Sequence, residues 1–330
     1  MGRYLNPGME SFEKSVNSEI YVDKTGLVGY TNRVMNTVQG YVCVSRPRRF
    51  GKSMAANMLT AYYSRGCDSR EIFSKFEISE SPDFEKYRNK YNTIFLNMQE
   101  FLSRSDSVEA LVDRVKKLVL RDLKREYPDV DYFDDTDLVE SMQDIYETEK
   151  CPFVVIIDEW DCIFREFRQN KEAQEKYLDF LRDLLKDKAC IHLAYMTGIL
   201  PIKKYGTHSA LNMFDEFSMI NPGPLAPYVG FTEVEVEYLC HKYRMDMEEV
   251  KAWYDGYSFS MAASVYSPRS VVNSMLFGKI ENYWNQTETF EALQVYIDMN
   301  FEGLRDDILS MIAGETVPVN TRSFTNDMTT

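Results

Sequence analysis

The 330 residues predict an α/β fold: a mostly parallel sheet of about five strands flanked by helices, followed by a smaller helical domain. Three observations carry this. Short apolar runs of strand length alternate with longer segments whose apolar residues recur at helical spacing. Phe153-Val154-Val155-Ile156-Ile157 is apolar at every position, as in a strand covered on both faces. At Asn221-Pro222-Gly223-Pro224-Leu225-Ala226-Pro227 the composition shifts to proline and glycine, which divides the chain into residues 1–225 and residues 226–330.

Taken in order, the expected strands are Tyr41 to Ser45, Thr93 to Met98, Phe153 to Asp158 and Ile191 to Thr197, with Phe217 to Ile220 as a weaker fifth. Met54 to Leu59 reads as a helix behind the first strand. Ser107 to Tyr127 repeats apolar residues at Val108, Leu111, Val115 and Leu118, and Asp161 to Lys186 does so through Phe164, Phe167, Leu181 and Leu185, so each reads as one long helix. Beyond the division, Thr232 with Glu235 three residues later marks a helix start. Met247 to Tyr257 forms a second helix there, with Gly256 suited to its stop or to a tight turn.

Composition narrows the function classes. Hydrophobic residues make up 44% and charged residues 27%, with 22 Tyr and 20 Phe, which suits large cores and argues against disorder. A formal net charge of −14 argues against sequence-independent nucleic-acid binding, which relies on Lys and Arg at phosphates. No apolar run approaches the ~20 residues that cross a bilayer. Met1 to Gly8 has no apolar signal core, so a cytoplasmic protein with no membrane partner is expected. The six cysteines form no C-x-x-C pair and read as free thiols. His192, His208 and His241 make a histidine-based metal site improbable.

Against this acidic background, Arg46, Arg48, Arg49 and Lys52 fall within seven residues. They lie in Ser45-Arg46-Pro47-Arg48-Arg49-Phe50-Gly51-Lys52-Ser53, between the first strand and the helix that Met54 continues. Strand, loop, helix is the setting in which G-K-S becomes a nucleotide site. Backbone N–H groups and the helix N-terminus then point at phosphate oxygens. Gly51 permits close approach, Lys52 reaches the outer phosphates, and the Ser53 hydroxyl ligates Mg²⁺. Arg46 departs from the pattern, standing where G-x-x-x-x-G-K-[ST] has its first glycine. Arg48 and Arg49 either face phosphate or pin the loop to acidic neighbours.

A second element supports the first. The apolar strand from Phe153 ends in Asp158-Glu159, at the strand end where open α/β sheets bind ligands. Asp158 would hold Mg²⁺ beside Ser53, and Glu159 would polarise the attacking water. The bland alternative, two charges opening a solvated helix with Asp161, is weakened by the buried strand before them. The strand ending at Thr197 is expected between those of Lys52 and Asp158. Thr197 then either senses the terminal phosphate and places the water, or only closes its strand in a Thr-Gly turn. Asp23, Lys24 and Thr25 suit a base or ribose pocket or, more simply, a helix cap, and Asn97 is a further residue for the site. Trp253, Tyr254, Tyr257, Tyr266 and Trp284 read as core of the second domain. Arg165 and Arg168 read as salt-bridged helix surface.

These ordered motifs, with Gly230-Phe-Thr-Glu233, Trp253-Tyr-Asp-Gly-Tyr257 and Val265-Tyr-Ser-Pro268, resemble the bacterial AAA-ATPase-like proteins, P-loop NTPases akin to the archaeal ATPase and STAND groups. The resemblance runs from about Tyr21 onward and makes Arg46 an expected variant, since R-P-R-R-F-G-K-[ST] is that family's form of the loop. It implies ATP and Mg²⁺ at Gly51, Lys52, Ser53 and Asp158, Glu159 as the catalytic carboxylate, and a helical lid for the second domain. Arg46, Pro47, Arg48, Arg49, Phe50 and Met54 complete the expected nucleotide-binding stretch, and Lys52 and Thr197 join Glu159 as catalytic residues. Members commonly continue into a PD-(D/E)xK nuclease-like domain. Here Asn320 to Thr330 resembles mid-protein sequence, so no nuclease activity is assigned to these residues.

The expected activity is Mg²⁺-dependent ATP hydrolysis that controls a C-terminal effector. The rival is an ATP-dependent switch or scaffold with little turnover; a small-molecule kinase ranks third. ATP is the expected partner. The sequence leaves room for a homo-oligomer, and for nucleic acid only through a C-terminal domain absent from these residues.

Overall fold

The computed structural model describes residues 2–167, 169–202, 211–219, 221–259, 262–283 and 310. Arg168, His208, Ile220, Trp284 and the stretch 320–330 therefore lie outside the described residues. From the N-terminus the chain forms α1 (Glu10–Val16), α2 (Gly26–Val34), β1 (Tyr41–Ser45), α3 (Lys52–Tyr63), α4 (Arg70–Phe73), α5 (Phe84–Tyr87), β2 (Asn92–Asn97), α6 (Met98–Leu102), α7 (Val108–Glu126) and α8 (Leu138–Glu149). There follow β3 (Phe153–Asp158), α9 (Cys162–Glu166), α10 (Lys171–Leu185), β4 (Ile191–Gly198) and β5 (Asp215–Phe217). The last part holds β6 (Phe231–Thr232), α11 (Glu233–Tyr243), α12 (Met247–Tyr254), β7 (Asp255–Phe259), β8 (Ala262–Tyr266) and α13 (Pro268–Phe277).

β1 to β5 form one parallel sheet in the order β2-β3-β4-β1-β5. β3 is buried at all six positions, as its unbroken apolar run requires. One face of the sheet carries Ile94, Val155 and Ile157 into a core shared with α6 to α10. The other carries Val42, Val44, Val154 and Ile156 against α1, α2 and α3. Because successive strand residues point to opposite faces, both layers are built from the same short runs.

The expected strands are present, the fifth two residues earlier than its apolar residues suggested. The expectation of one helix over Asp161 to Lys186 is corrected. The chain leaves helical geometry at Phe167 (φ −103°, ψ 50°), and Asn170 starts a new helix by accepting from the Ala173 N–H at 3.0 Å. In the second region the helices are joined by an antiparallel sheet, β6-β8-β7. Gly256, expected at a helix stop or turn, lies in β7. A separate apolar cluster of Phe231, Val236, Leu239, Tyr254, Tyr266 and Val271 forms its core. Tyr254 and Tyr266 are thus core residues as expected, whereas Trp253 is exposed. All six cysteines are free thiols. No helix among the described residues is long and apolar enough to cross a membrane.

Candidate functional site

Parallel pairing brings three strand ends to one edge. Ser45 is level with Gly198, and Val44 with Thr197; Ile157 is level with Met196. β4 therefore lies between β1 and β3, and Thr197 stands between the loop after Val44 and Asp158. Two loop residues adopt left-handed backbone, Arg49 (φ 71°) and Gly51 (φ 86°). A Cβ added at Gly51 would meet nothing within 4 Å, so glycine is favoured there by its φ and not by crowding. Gly51 immediately precedes α3, whose first N–H groups are unpaired by the helix itself.

Lys52 is only 5% exposed. Its Nζ donates to the carbonyls of Arg46 and Pro47, each at 2.9 Å, and so folds back across the loop. Burial lowers its pKa, while the carboxylates of Glu159, Asp158 and Asp161 act in the opposite direction. Ser53 and Met54 are exposed.

Arg46 is 1% exposed. Its backbone N–H donates to Gly198 O at 3.1 Å, and its Nη1 donates to Ser45 O at 3.0 Å and to Phe217 O at 2.7 Å. Burial pulls its pKa down to about 10, which leaves it a cation at neutral pH. Arg46 is thus tied by its backbone N–H to β4 and by Nη1 to β1 and β5, while its Nε and Nη2 have no hydrogen-bond partner among the described residues. Arg49 Nη1 donates to Tyr283 O at 3.2 Å. The Phe50 ring is buried with Val229 and Val265. The loop is therefore fastened to the C-terminal region through these two side chains.

Asp158 is 1% exposed. Its Oδ1 accepts from the Thr197 hydroxyl at 2.5 Å and from the Glu159 N–H at 3.1 Å. Its Oδ2 has no hydrogen-bond partner among the described residues. One oxygen is thereby fixed and the other is left with acceptor capacity. A hydroxyl and a carboxylate are hard oxygen donors of the kind Mg²⁺ takes together with phosphate oxygens, so Ser53 and Asp158 fit that ion. Glu159 has φ 56°, and its Oε2 accepts a hydrogen bond from Arg165 Nη2. Burial raises the Glu159 pKa, and the Arg165 guanidinium offsets this in part.

The other candidates separate from this cluster. The Asn97 side chain caps α6 by accepting from the Glu100 N–H at 3.1 Å. Asp23 accepts from the Thr25 N–H at 2.8 Å and the Glu77 N–H at 2.8 Å, which fastens the turn before α2, and α2 itself has no side-chain cap. Lys24 donates to Glu235 and to Pro227 O. Two residues were missed. Asp161 is fully buried, and its Oδ2 accepts from the Ile199 and Leu200 N–H groups at 3.0 and 2.8 Å. Arg165, read as surface, reaches Glu159. Their signal in sequence was only an acid and a base at helical spacing after Asp158-Glu159, a pattern shared with many solvated helices. A Cβ at Gly198 would lie 2.6 Å from Trp160 Nε1 and 2.9 Å from Asp161 Oδ1, so this neighbourhood needs glycine there.

An uncharacterised protein from the 5′ region of vnfD in Azotobacter chroococcum mcd 1 is 25% identical over 298 residues, covering 86% of this chain and 54% of that protein. The chain thus spans about half the length of that curated relative. Among solved structures, the chain is similar to Aeropyrum pernix ORC2 in its ADPNP–ADP complexes, with a TM-score of 0.35 and 11% identity over 71% of this chain and 55% of that one. It is also similar to Cdc6p from Pyrobaculum aerophilum, with a TM-score of 0.33 and 10% identity over 84% of this chain and 68% of that one. Residues 6–207, more than half of the chain, match the family model AAA-ATPase-like, described as "Predicted AAA-ATPase", and the protein belongs to that family.

Proposed function

We propose that the chain binds ATP with Mg²⁺ at the Gly51-Lys52-Ser53 loop and hydrolyses it, in the service of a C-terminal effector. One observation carries the reading: the exposed Ser53 and desolvated Lys52 share a sheet edge with an Asp158 whose Oδ2 has no hydrogen-bond partner among the described residues. Lys52 would exchange its two loop carbonyls for phosphate oxygens, and the N–H groups opening α3 would bind the same anion. Ser53 and Asp158 would hold Mg²⁺, which when bound neutralises charge between the outer phosphates. Glu159, a carboxylate whose burial raises its basicity, would take the proton of the attacking water. Thr197 would keep Asp158 oriented through the bond its hydroxyl donates.

A second reading, an ATP-dependent switch with little turnover, is favoured by Arg49 and Phe50, which connect the loop to the C-terminal region. Phosphate release and ATP binding distinguish the two. Lys52→Ala should weaken ATP binding about tenfold or more; unchanged affinity would remove the premise of both readings. Glu159→Gln should retain ATP and lose most of the turnover. If wild type and Glu159→Gln bind ATP with the same negligible turnover, the protein is a switch. Phosphate appearing on an acceptor molecule would instead indicate a kinase.

A further inference from the structure

α7 carries a charge pattern that the nucleotide site does not use. Its apolar side packs Leu111, Val115, Val119 and Leu123 into the core shared with the sheet. Away from that core stand Arg114, Lys117, Arg121 and Arg125. By helical geometry these four fall within roughly 80° of the helix circumference and span about 16 Å of its length. Lys117, Arg121 and Arg125 are exposed, and Arg114 is half-buried. Among the described residues, Arg114, Lys117 and Arg125 form no ion pair. Arg121 Nη2 lies 3.2 Å from Asp122 Oδ1, which steadies the guanidinium and leaves its side chain 43% exposed. Asp122 is itself buried and accepts the Tyr4 N–H at 2.8 Å through Oδ2.

Helix polarity accounts for only part of this stripe. Cations in the last turn, Lys124 and Arg125, complement the negative end of the helix. Arg114 and Lys117 stand further from that end, where the effect has faded, and Lys124 is taken up by Asp135 at 2.8 Å. The composition of the face narrows what it can meet. α7 contains no aromatic, Asn or Gln residue, so it has nothing to stack on an unpaired base or to read a base edge. No large apolar side chain of α7 is exposed, whereas protein interfaces have an apolar core and membrane-surface helices insert an apolar face. A row of cations without either suits a regular polyanion, and the phosphate backbone of duplex DNA is one. The net charge of −14 acts weakly at this range. At physiological ionic strength charges more than about 8 Å apart are largely screened. A ligand on α7 therefore meets chiefly the stripe, with Asp113 and Glu126 at its margins.

We propose that the exposed face of α7 is a sequence-independent docking surface for duplex DNA, with Arg114, Lys117, Arg121 and Arg125 at backbone phosphates. This does not depend on the nucleotide reading above, since none of the four belongs to the Ser45–Ser53 loop or to the ends of β3 and β4. Three to four phosphate contacts give weak binding, whose logarithm falls against the logarithm of salt with a slope of about −3.

Fluorescence anisotropy with a labelled duplex of about 20 base pairs, between ~50 and ~200 mM NaCl, reads this directly. Wild type should bind with a Kd of about 10–100 µM at the lower salt and roughly fortyfold more weakly at the higher. Lys117→Gln/Arg125→Gln should weaken binding about tenfold or more at low salt and reduce the salt slope by about 2. Lys117→Gln alone should reduce the slope by about 1, and it keeps the proposal testable if the double variant is unstable. Lys75→Gln/Lys86→Gln makes an equal charge change around α4 and α5, against the other core, and should leave the Kd within about twofold. Both doubles should keep the wild-type thermal midpoint and ATP affinity. The single-stranded form of the same sequence should bind less tightly, having fewer phosphates along its length.

No duplex binding up to about 1 mM, equal weakening by the two doubles, or an unchanged salt slope in the α7 double would each overturn the proposal. Tighter binding of the single strand would overturn the assignment to duplex DNA. So would α7-dependent binding of phosphatidylserine vesicles or of polyglutamate that exceeds binding of the duplex, since the face would then dock a membrane or an acidic protein segment. None of these outcomes bears on Lys52 or Asp158, and a failure to bind ATP would leave the α7 stripe in place.

Discussion

At the scale of single residues, Glu216 shows how the loop strand is anchored from the sheet edge. Its Oε1 accepts from the Ser45 hydroxyl and from the Ile202 N–H, each at 2.9 Å. Burial raises its pKa, and the bonds from Ser45 and Ile202 oppose this only in part. A carboxyl whose folded pKa lies above its unfolded value gains its proton first in the folded state as pH falls. Its stabilising contribution is complete below the unfolded carboxylate range and is lost as pH rises through the folded pKa. Glu216→Gln keeps an oxygen acceptor without the buried charge. It should therefore melt higher than wild type at pH 7, with the difference shrinking as pH falls toward 4. A gap that widens on acidification would contradict this assignment of sign. Legibility at this scale follows the same physics. Lys52, Ser53, Asp158 and Glu159 could be picked out as candidates because their positions at strand ends follow from local spacing and strand context. The destination of Arg46 could not, because its acceptor Phe217 O is 171 residues away.

At the scale of elements, the buried strands were the most legible. β1 and β3 have the expected bounds, because an apolar run between polar turns leaves little choice of where burial begins and ends. The break between α9 and α10 was hidden, since the apolar period survives the four intervening residues and only the Asn170 cap marks the restart. β7 was missed for a different reason. It follows α12 with no residue between them, so no turn marks where the helix gives way to the strand that pairs with β8. The start of α11, in contrast, is written in four residues. The Thr232 hydroxyl accepts from the Glu235 N–H, and Glu235 Oε2 accepts from the Thr232 N–H at 2.7 Å, a complete capping box. Thr232→Ala should lower stability by about 1 kcal/mol, and Thr232→Ser should restore most of it. Chemical denaturation checks both, and equal midpoints for wild type and Thr232→Ala would show that the cap carries no stability.

At the scale of the whole molecule, the Ser45–Ser53 loop and the N-terminal segment meet the C-terminal region, and Lys24 makes a polar contact there. Lys24 Nζ donates to Glu235 Oε1 and Oε2 at 2.6 and 2.5 Å and to Pro227 O at 2.7 Å. It also lies 5.6 Å from the centre of the Phe231 ring. Phe50, Val229 and Val265 pack in the apolar part of this seam. The ion pair is largely but not fully buried, with side chains 13% and 25% exposed. Removing one partner of a fully buried pair costs roughly 3–5 kcal/mol, because the other charge is left uncompensated. Lys24→Met should cost less, about 1–3 kcal/mol, since Glu235 keeps some water and its bond from Thr232. The loss should not be shared evenly. α11 and the small sheet depend on Glu235 for their cap as well as for the seam, so the C-terminal region should unfold before the five-stranded sheet. Urea denaturation followed by Trp253 and Trp160, in separate Trp→Phe backgrounds, would resolve the two regions, since Trp253 lies on α12 and Trp160 beside β3. Lys24→Met should shift the Trp253 transition to lower urea and leave the Trp160 transition nearly in place. Coincident transitions that both match wild type would mean that the apolar contacts of Phe50 and Val265 hold the seam without help from the charge pair.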